Sequence, residues 1–182
     1  MSRRWDRDLE AGGKAMRLRV LSVLGVGVLL GAFPTAVTSA AAAAGPSKVF
    51  VSSSGSCAGK AAYITISGGV AAAGPGGTVQ VCPGTCTEDV VLGFPVTLQG
   101  ANAVVDPGDD MSSPLYNLIG SNAFTVLAPN VTIRGFTVEE ASGDGIFLAG
   151  DHGLIQNVLA QNNGVNGINV DGSSYSTIRS NR

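Results

Sequence analysis

Charged and aromatic side chains are scarce in this sequence, at 13% and 5% of its 182 residues. So little charge, with 45% hydrophobic residues, excludes a disordered polyelectrolyte and leaves room for one or two folded domains. Basic residues are nearly missing from the main body. Six of the eleven (Arg3, Arg4, Arg7, Lys14, Arg17 and Arg19) precede position 20, and from Gly45 onward five basic residues face ten acidic ones. A body of that sign, with no basic stripe interleaved with aromatics, argues against nucleic acid and against anionic lipid as partners. A lone histidine makes a poor metal site and nothing in the sequence resembles a zinc or copper ligand cluster, so no such metal site is expected. No apolar run reaches the ~20 residues of a membrane span.

An export signal is present instead. Positions 20 to 33 form an apolar run preceded by Arg17 and Arg19 and followed by Pro34 and the alanines 40 to 44. That order of basic, apolar and small residues marks residues 1–44 as a cleaved signal peptide. The mature protein is then expected to be secreted, extracellular and without a stable membrane span, a single membrane anchor being the alternative. Thr38/Ala40, Ala40/Ala42 and Ala42/Ala44 all supply the small residues that signal peptidase requires, so the cut lies within a few residues of these. Met16, followed by Arg-Leu-Arg, makes a more natural start than Met1.

Repeats organise the remainder. Asn122-Ala-Phe-Thr-Val-Leu, Asp144-Gly-Ile-Phe-Leu-Ala and Asn166-Gly-Ile-Asn-Val-Asp begin 22 residues apart. Each is followed by a second short strand (Val131–Ile133, Leu154–Ile155) and a third (Phe136–Val138, Val158–Ala160), with Gly, Asn, Asp and Ser between them. Strands this short and this regularly spaced predict coils of three strands and three turns, each stacked in parallel on the one before. Asp89–Leu92, Val96–Leu98 and Ala103–Val105 form the preceding coil. Val96 and Val131 are equivalent but 35 residues apart, so about 13 extra residues near Pro107 to Ile119 loop out, carrying Asp109, Asp110, Tyr116 and Asn117. Such loops are where specific contacts concentrate. Upstream, Lys48–Val51 reads as a first strand, and Ile64, Ile66, Val70 and Ala73 share one face of a short helix that covers the open end of the stack. Residues 45–77 are thus a strand with a capping helix, and 78–182 are coils.

Tyr63–Ile66 through Ala71–Ala73, Gly77–Thr85 and Glu88–Leu92 resemble the N-terminal cap and first coil of secreted bacterial right-handed parallel β-helix proteins of the pectate lyase-like superfamily. The similarity spans about residues 47 to 182 and specifies a scaffold better than an activity. It implies an all-β solenoid with a groove for an extended polysaccharide and, where such proteins are enzymes, lyase or glycoside hydrolase chemistry. The alternative is a non-catalytic extracellular structural or adhesion scaffold.

Candidate catalytic residues are Asp144, Asp151 and His152. Residues one coil apart stand about 4.8 Å apart, so Asn122, Asp144 and Asn166 form a turn ladder whose side chains bond along the stack. A carboxylate between two amides can also hold a cation, which makes Asp144 the candidate for calcium. Asp151-His152 is similar to the Gly-His-Gly turn of polygalacturonases, but the expected neighbours, Pro129 and Ser173 for Asp151 and Asn130 and Ser174 for His152, supply no paired aspartate. Glu139, Glu140, Asp144 and Arg134 are the residue types of a calcium-dependent lyase, yet Glu139 stacks on Gln161 and Glu140 on Asn162, which disperses the charge. Three cysteines in an exported chain permit one bridge. Cys57–Cys82 would tie the cap to the first coil, Cys82–Cys86 being the alternative, and Cys86 stands where members of the resembled family carry Tyr or Phe. The sequence stops at Thr177–Arg182 in mid-coil, which reads as a truncated chain or an end covered by another copy through self-association.

Overall fold

A computed structural model describes residues 48–108 and 121–182. Residues 1–44, expected to be an export signal, and the insertion residues Asp109, Asp110, Tyr116 and Asn117 lie outside them.

Short alternating segments bounded by turn residues become strands that pair in parallel with the next coil. The large sheet has eight strands. Along it run β1 (Lys48–Val51), β4 (Thr78–Val81), β7 (Thr97–Val105), β9 (Thr132–Glu139), β11 (Leu154–Gln156) and β14 (Thr177–Arg179), joined by β5 (Gly84–Cys86) on β7 and β12 (Leu159–Gln161) on β9. A second sheet orders β13 (Ile168–Val170), β10 (Ile146–Leu148), β8 (Phe124–Val126) and β6 (Val90–Leu92). The second and third strands expected for each coil fuse into one in β7 and β9, with an irregularity between Gln99 and Ala103. At the equivalent corners Gly135, Asn157 and Ser180 take positive φ of 73°, 54° and 54°, a conformation that glycine and asparagine adopt at least strain.

The core is a set of columns, one residue per coil. Val49, Val79, Leu98, Ile133, Ile155 and Ile178 stand in register in the large sheet, and Leu92, Val126, Leu148 and Val170 in the smaller one. A third column runs Cys86, Val105, Val138 and Ala160. Cys86 therefore serves as a small apolar core residue at the position left open by the sequence.

The helix α1 is shorter than expected, at Ile66–Ala73. Thr65 caps it by accepting from the Gly68 N–H at 3.1 Å, and a residue holding that extended cap conformation ends the helix there. Ile64 consequently falls outside the helix, 68% exposed, rather than on its apolar face. Ile66, Gly69, Val70 and Ala73 form the buried side, where a methyl at Gly69 would collide with Val51 of β1. The carboxylate of Glu88 accepts from the backbone N–H groups of Ile66 and Ser67, the latter at 3.0 Å, and so sits on the positive end of the helix. This tie spans 21 residues and no local pattern announces it.

A two-stranded hairpin, β2 (Ser56–Cys57) with β3 (Lys60–Ala61), precedes the helix, turning through Ala58 and Gly59 at positive φ. Cys57 is bonded to Cys82 across 25 residues, fastening the hairpin to the end of β4. Cys86 is free and buried, so the alternative Cys82–Cys86 pairing does not form.

Candidate functional site

Three turn residues lie directly before the strands of the smaller sheet, and the parallel register stacks them. The Asp144 backbone N–H donates to Asn122 Oδ1 at 2.7 Å, and the Asn166 backbone N–H donates to Asp144 Oδ1 at 3.1 Å. Asn166 Nδ2 donates to the same Asp144 oxygen at 2.8 Å, while Asn169 Nδ2 donates to Asp144 Oδ2 at 2.9 Å. The Asp144 carboxylate, 5% exposed, thus accepts three hydrogen bonds, and it holds the ladder together at a depth where an unbonded charge would be strongly disfavoured. Asn122 closes the chain of bonds by donating from Nδ2 to Thr125 Oγ1 at 3.2 Å. Asn169, which the sequence reading did not single out, belongs to this group. Its signal is the outward position of β13 three residues after Asn166.

The middle residues of the same strands form a line: Val91, Thr125, Phe147 and Asn169 stand one above another, with Val91 40% exposed and Thr125 buried. Ile146 and Leu148 on either side of Phe147 point inward and are fully buried, so the phenyl ring is turned toward the outer face.

Asp151 and His152 occupy the turn before β11, both exposed. Their upper neighbours differ from those expected. Leu154 pairs with Thr177 while Leu148 pairs with Val170, so the turn of the last coil holds one more residue than the turn before it. That extra residue brings Ser174 over Asp151 and Tyr175 over His152. The Ser174 N–H donates to Asp151 Oδ1 at 2.7 Å, and the His152 and Tyr175 rings stack at 5.3 Å with planes 13° apart. Asn130, His152 and Tyr175 share the same left-handed backbone, with φ of 59°, 57° and 57°. The pair is therefore a turn ladder with an aromatic stack on its outer surface, and no second carboxylate faces Asp151 along it.

Glu139 does pair with Gln161, whose Nε2 donates to its Oε2 at 2.6 Å. Arg134 lies on the large sheet and Asp144 before the smaller one, so the residue types of a lyase centre are carried by different sheets. Among the described residues no three His, Cys, Asp or Glu side chains converge on one point. A depression of about 300 Å³ beside Ala61, Ala62 and Tyr63 presents two methyl groups and one phenol.

At Cys86, burial pushes the thiol above its ordinary value of 9.0, and the nearby Glu88 carboxylate adds to the effect. The thiol is correspondingly protonated and poorly nucleophilic at neutral pH.

No helix among the described residues is long and apolar enough to cross a membrane. No curated protein and no solved structure matches the chain. The architecture is an all-β, right-handed parallel β-helix, and residues 120–182, which contain the 22-residue register, the Asp144 ladder and the Asp151–His152 turn, match the family model described as a right handed beta helix region.

Proposed function

We propose that this chain is an extracellular β-helix that holds an extended polysaccharide along the outward face of its smaller sheet, and that it binds rather than cleaves. The carrying observation is the line of Val91, Phe147 and Asn169, which stand in register on successive strands with the buried Thr125 between the first two and suit a linear polymer better than a compact ligand. Phe147 supplies an apolar face on which a sugar ring can rest, and Asn169, whose Nδ2 is held by Asp144, supplies its amide oxygen beside it. Export is supported by the signal-like segment before Gly45 and by the Cys57–Cys82 bridge, a bond that persists in oxidising compartments. A binding role is supported by the state of Asp144, whose oxygens are already engaged by Asn166 and Asn169.

The same saturation of Asp144 favours a second reading, a structural or adhesion scaffold without a glycan ligand. Titration of the full chain with xylan, alginate and pectate, each with and without calcium, separates the two. Binding that weakens in Phe147→Ala, with no new reducing ends or unsaturated products, is the expected result. Calcium-dependent product formation would restore the enzyme reading through Asp144, and absence of binding to every polymer would leave the scaffold.

A further inference from the structure

The large sheet carries a second outward line, remote in register from Phe147 and Asn169. Phe50 stands beside Gln80, then Gln99, Arg134, Gln156 and Arg179 follow in order, one per coil. A parallel rank two residues toward the N-terminus of each strand begins with Lys48 and continues through Thr78, Thr97, Thr132, Leu154 and Thr177. Neither rank contains an acidic residue.

Charge is segregated onto this face. From Gly45 onward the chain has five basic residues against ten acidic ones, and four of the five belong here. Arg134 and Arg179 stand in the amide rank, Lys48 heads the hydroxyl rank, and the ammonium groups of Lys48 and Lys60 lie 5.5 Å and 4.8 Å from the centre of the Phe50 ring. Several acids are engaged away from these ranks: Glu88 on α1, Asp144 in its ladder and Asp151 under Ser174, while Glu139, on the same sheet but beyond the corner at Gly135, is bonded to Gln161. Arg134 is exposed and has no hydrogen-bond or ion-pair partner among the described residues. Arg179 donates to Gln156 Oε1 at 3.1 Å, which leaves the rest of its fork open.

The spacing is set by the sheet. Strands about 4.8 Å apart place Arg134 and Arg179, with Gln156 between them, about 9.6 Å apart, and the whole rank runs about 24 Å. Guanidinium groups recognise carboxylates and phosphates with paired hydrogen bonds, and a rigid sheet holds them at fixed separation. We infer that this rank is a docking face for one extended anionic glycan, a cell-surface polymer whose carboxylates or phosphates recur along a single strand lying parallel to the coil axis. Its oxyanions meet Arg134 and Arg179, and its hydroxyls meet the intervening amides and threonines. Four positive charges over ~24 Å are too sparse for a nucleic-acid backbone, which in duplex form carries a charge every ~1.7 Å, and the rank lacks stacking aromatics between its charges. The rest of the body, being negative, repels such a polymer and so confines it to this face.

The inference rests on the reading of the protein as a glycan binder and adds the sign of the ligand and a second face. Full-length protein and the Arg134→Gln/Arg179→Gln double variant are titrated with alginate, with a poly(glycerol phosphate) glycopolymer, with neutral xylan and with single-stranded DNA, at low and high salt. The expected result is binding of at least one polyanionic glycan that falls with salt and weakens at least roughly tenfold in the double variant, as loss of charged hydrogen bonds requires. Xylan binding and the unfolding transition stay unchanged, and the preferred polyanion tells carboxylate from phosphate. Retention of xylan alone overturns the inference while leaving the glycan-binding reading intact. Undiminished polyanion binding by the double variant, or equal binding of DNA, also overturns it. Absence of binding to every glycan removes both.

Discussion

The two ends of the coil stack treat the same columns differently. At the N-terminal end α1 lies against β1 and β4, Glu88 fastens its first turn, and the Cys57–Cys82 bridge ties the hairpin to β4. There Val51, Val79 and Leu92 are fully buried. In the last coil the corresponding Val170 and Ile178 are 46% and 41% exposed. The side-chain types match, so the difference lies in the neighbour: a coil buries its apolar side chains only when another layer covers it.

Substitutions test that difference directly. Leu98→Ala, deep in the column, is expected to destabilise by roughly 2–5 kcal/mol, whereas Ile178→Ala, at the exposed end of the same column, changes stability by less than about 1 kcal/mol in denaturant titration. Equal losses would break the comparison. With no strand paired beyond them among the described residues, β13 and β14 should also exchange amide hydrogens faster than β9 or recruit a second copy. A monodisperse monomer in which β14 is as protected as β9 would show that this end is closed by some other means.

Next in size is the clip. Replacing Cys57 by Ser opens a loop spanning 25 residues, and the chain-entropy model assigns about 3 kcal/mol to such a closure. Thermal unfolding with and without reductant checks it, and a wild-type transition that ignores reductant counts against the role of the bridge.

These two expectations draw on features of unequal legibility. Val131–Ile133, Phe136–Val138 and the 22-residue spacing were readable because alternation and turn residues are local signals that repeat. Ile64 was misplaced because apolar periodicity alone ignores the cap at Thr65, which sets where a helix begins. The partners of Asp151 and His152 were misjudged by one step, since the extra residue sits in the turn after Val170, where no strand pattern marks it. Glu88 acts through a contact 21 residues away that no local pattern could assign, whereas Asn169, bonded 25 residues away, is marked only by its strand position after Asn166.

Glu88 offers a smaller test. Glu88→Ala removes the acceptor for the first N–H groups of α1 and should cost about 1–2 kcal/mol, with Glu88→Gln costing less because its amide oxygen still accepts. If both variants are neutral, the helix is held by Ile66 and Val70 alone. The smallest effect belongs to Cys86. Its thiol titrates higher in the folded chain than in the unfolded one, so its contribution is complete below the ordinary value of 9.0 and fades as pH rises through the folded value. Stability should therefore decline at alkaline pH less steeply in Cys86→Ala than in the wild type. Alkylation at neutral pH should proceed only after denaturation, and rapid labelling of the native chain would contradict the burial of Cys86.

The bridged hairpin and helix also give the molecule a mechanical polarity. Pulled from its two termini, a stack of parallel coils yields by peeling, because hydrogen bonds at an open edge break a few at a time while those within the stack share the load. The bridged hairpin resists, and a coil covered on one side only yields before one covered on both. Intervals of 19, 35, 22 and 23 residues separate Thr78, Thr97, Thr132, Leu154 and Thr177, so each coil that detaches should give a step of its own size, from roughly 65 to 120 Å when fully extended, and the order of sizes in a force-extension trace reads out the order of release.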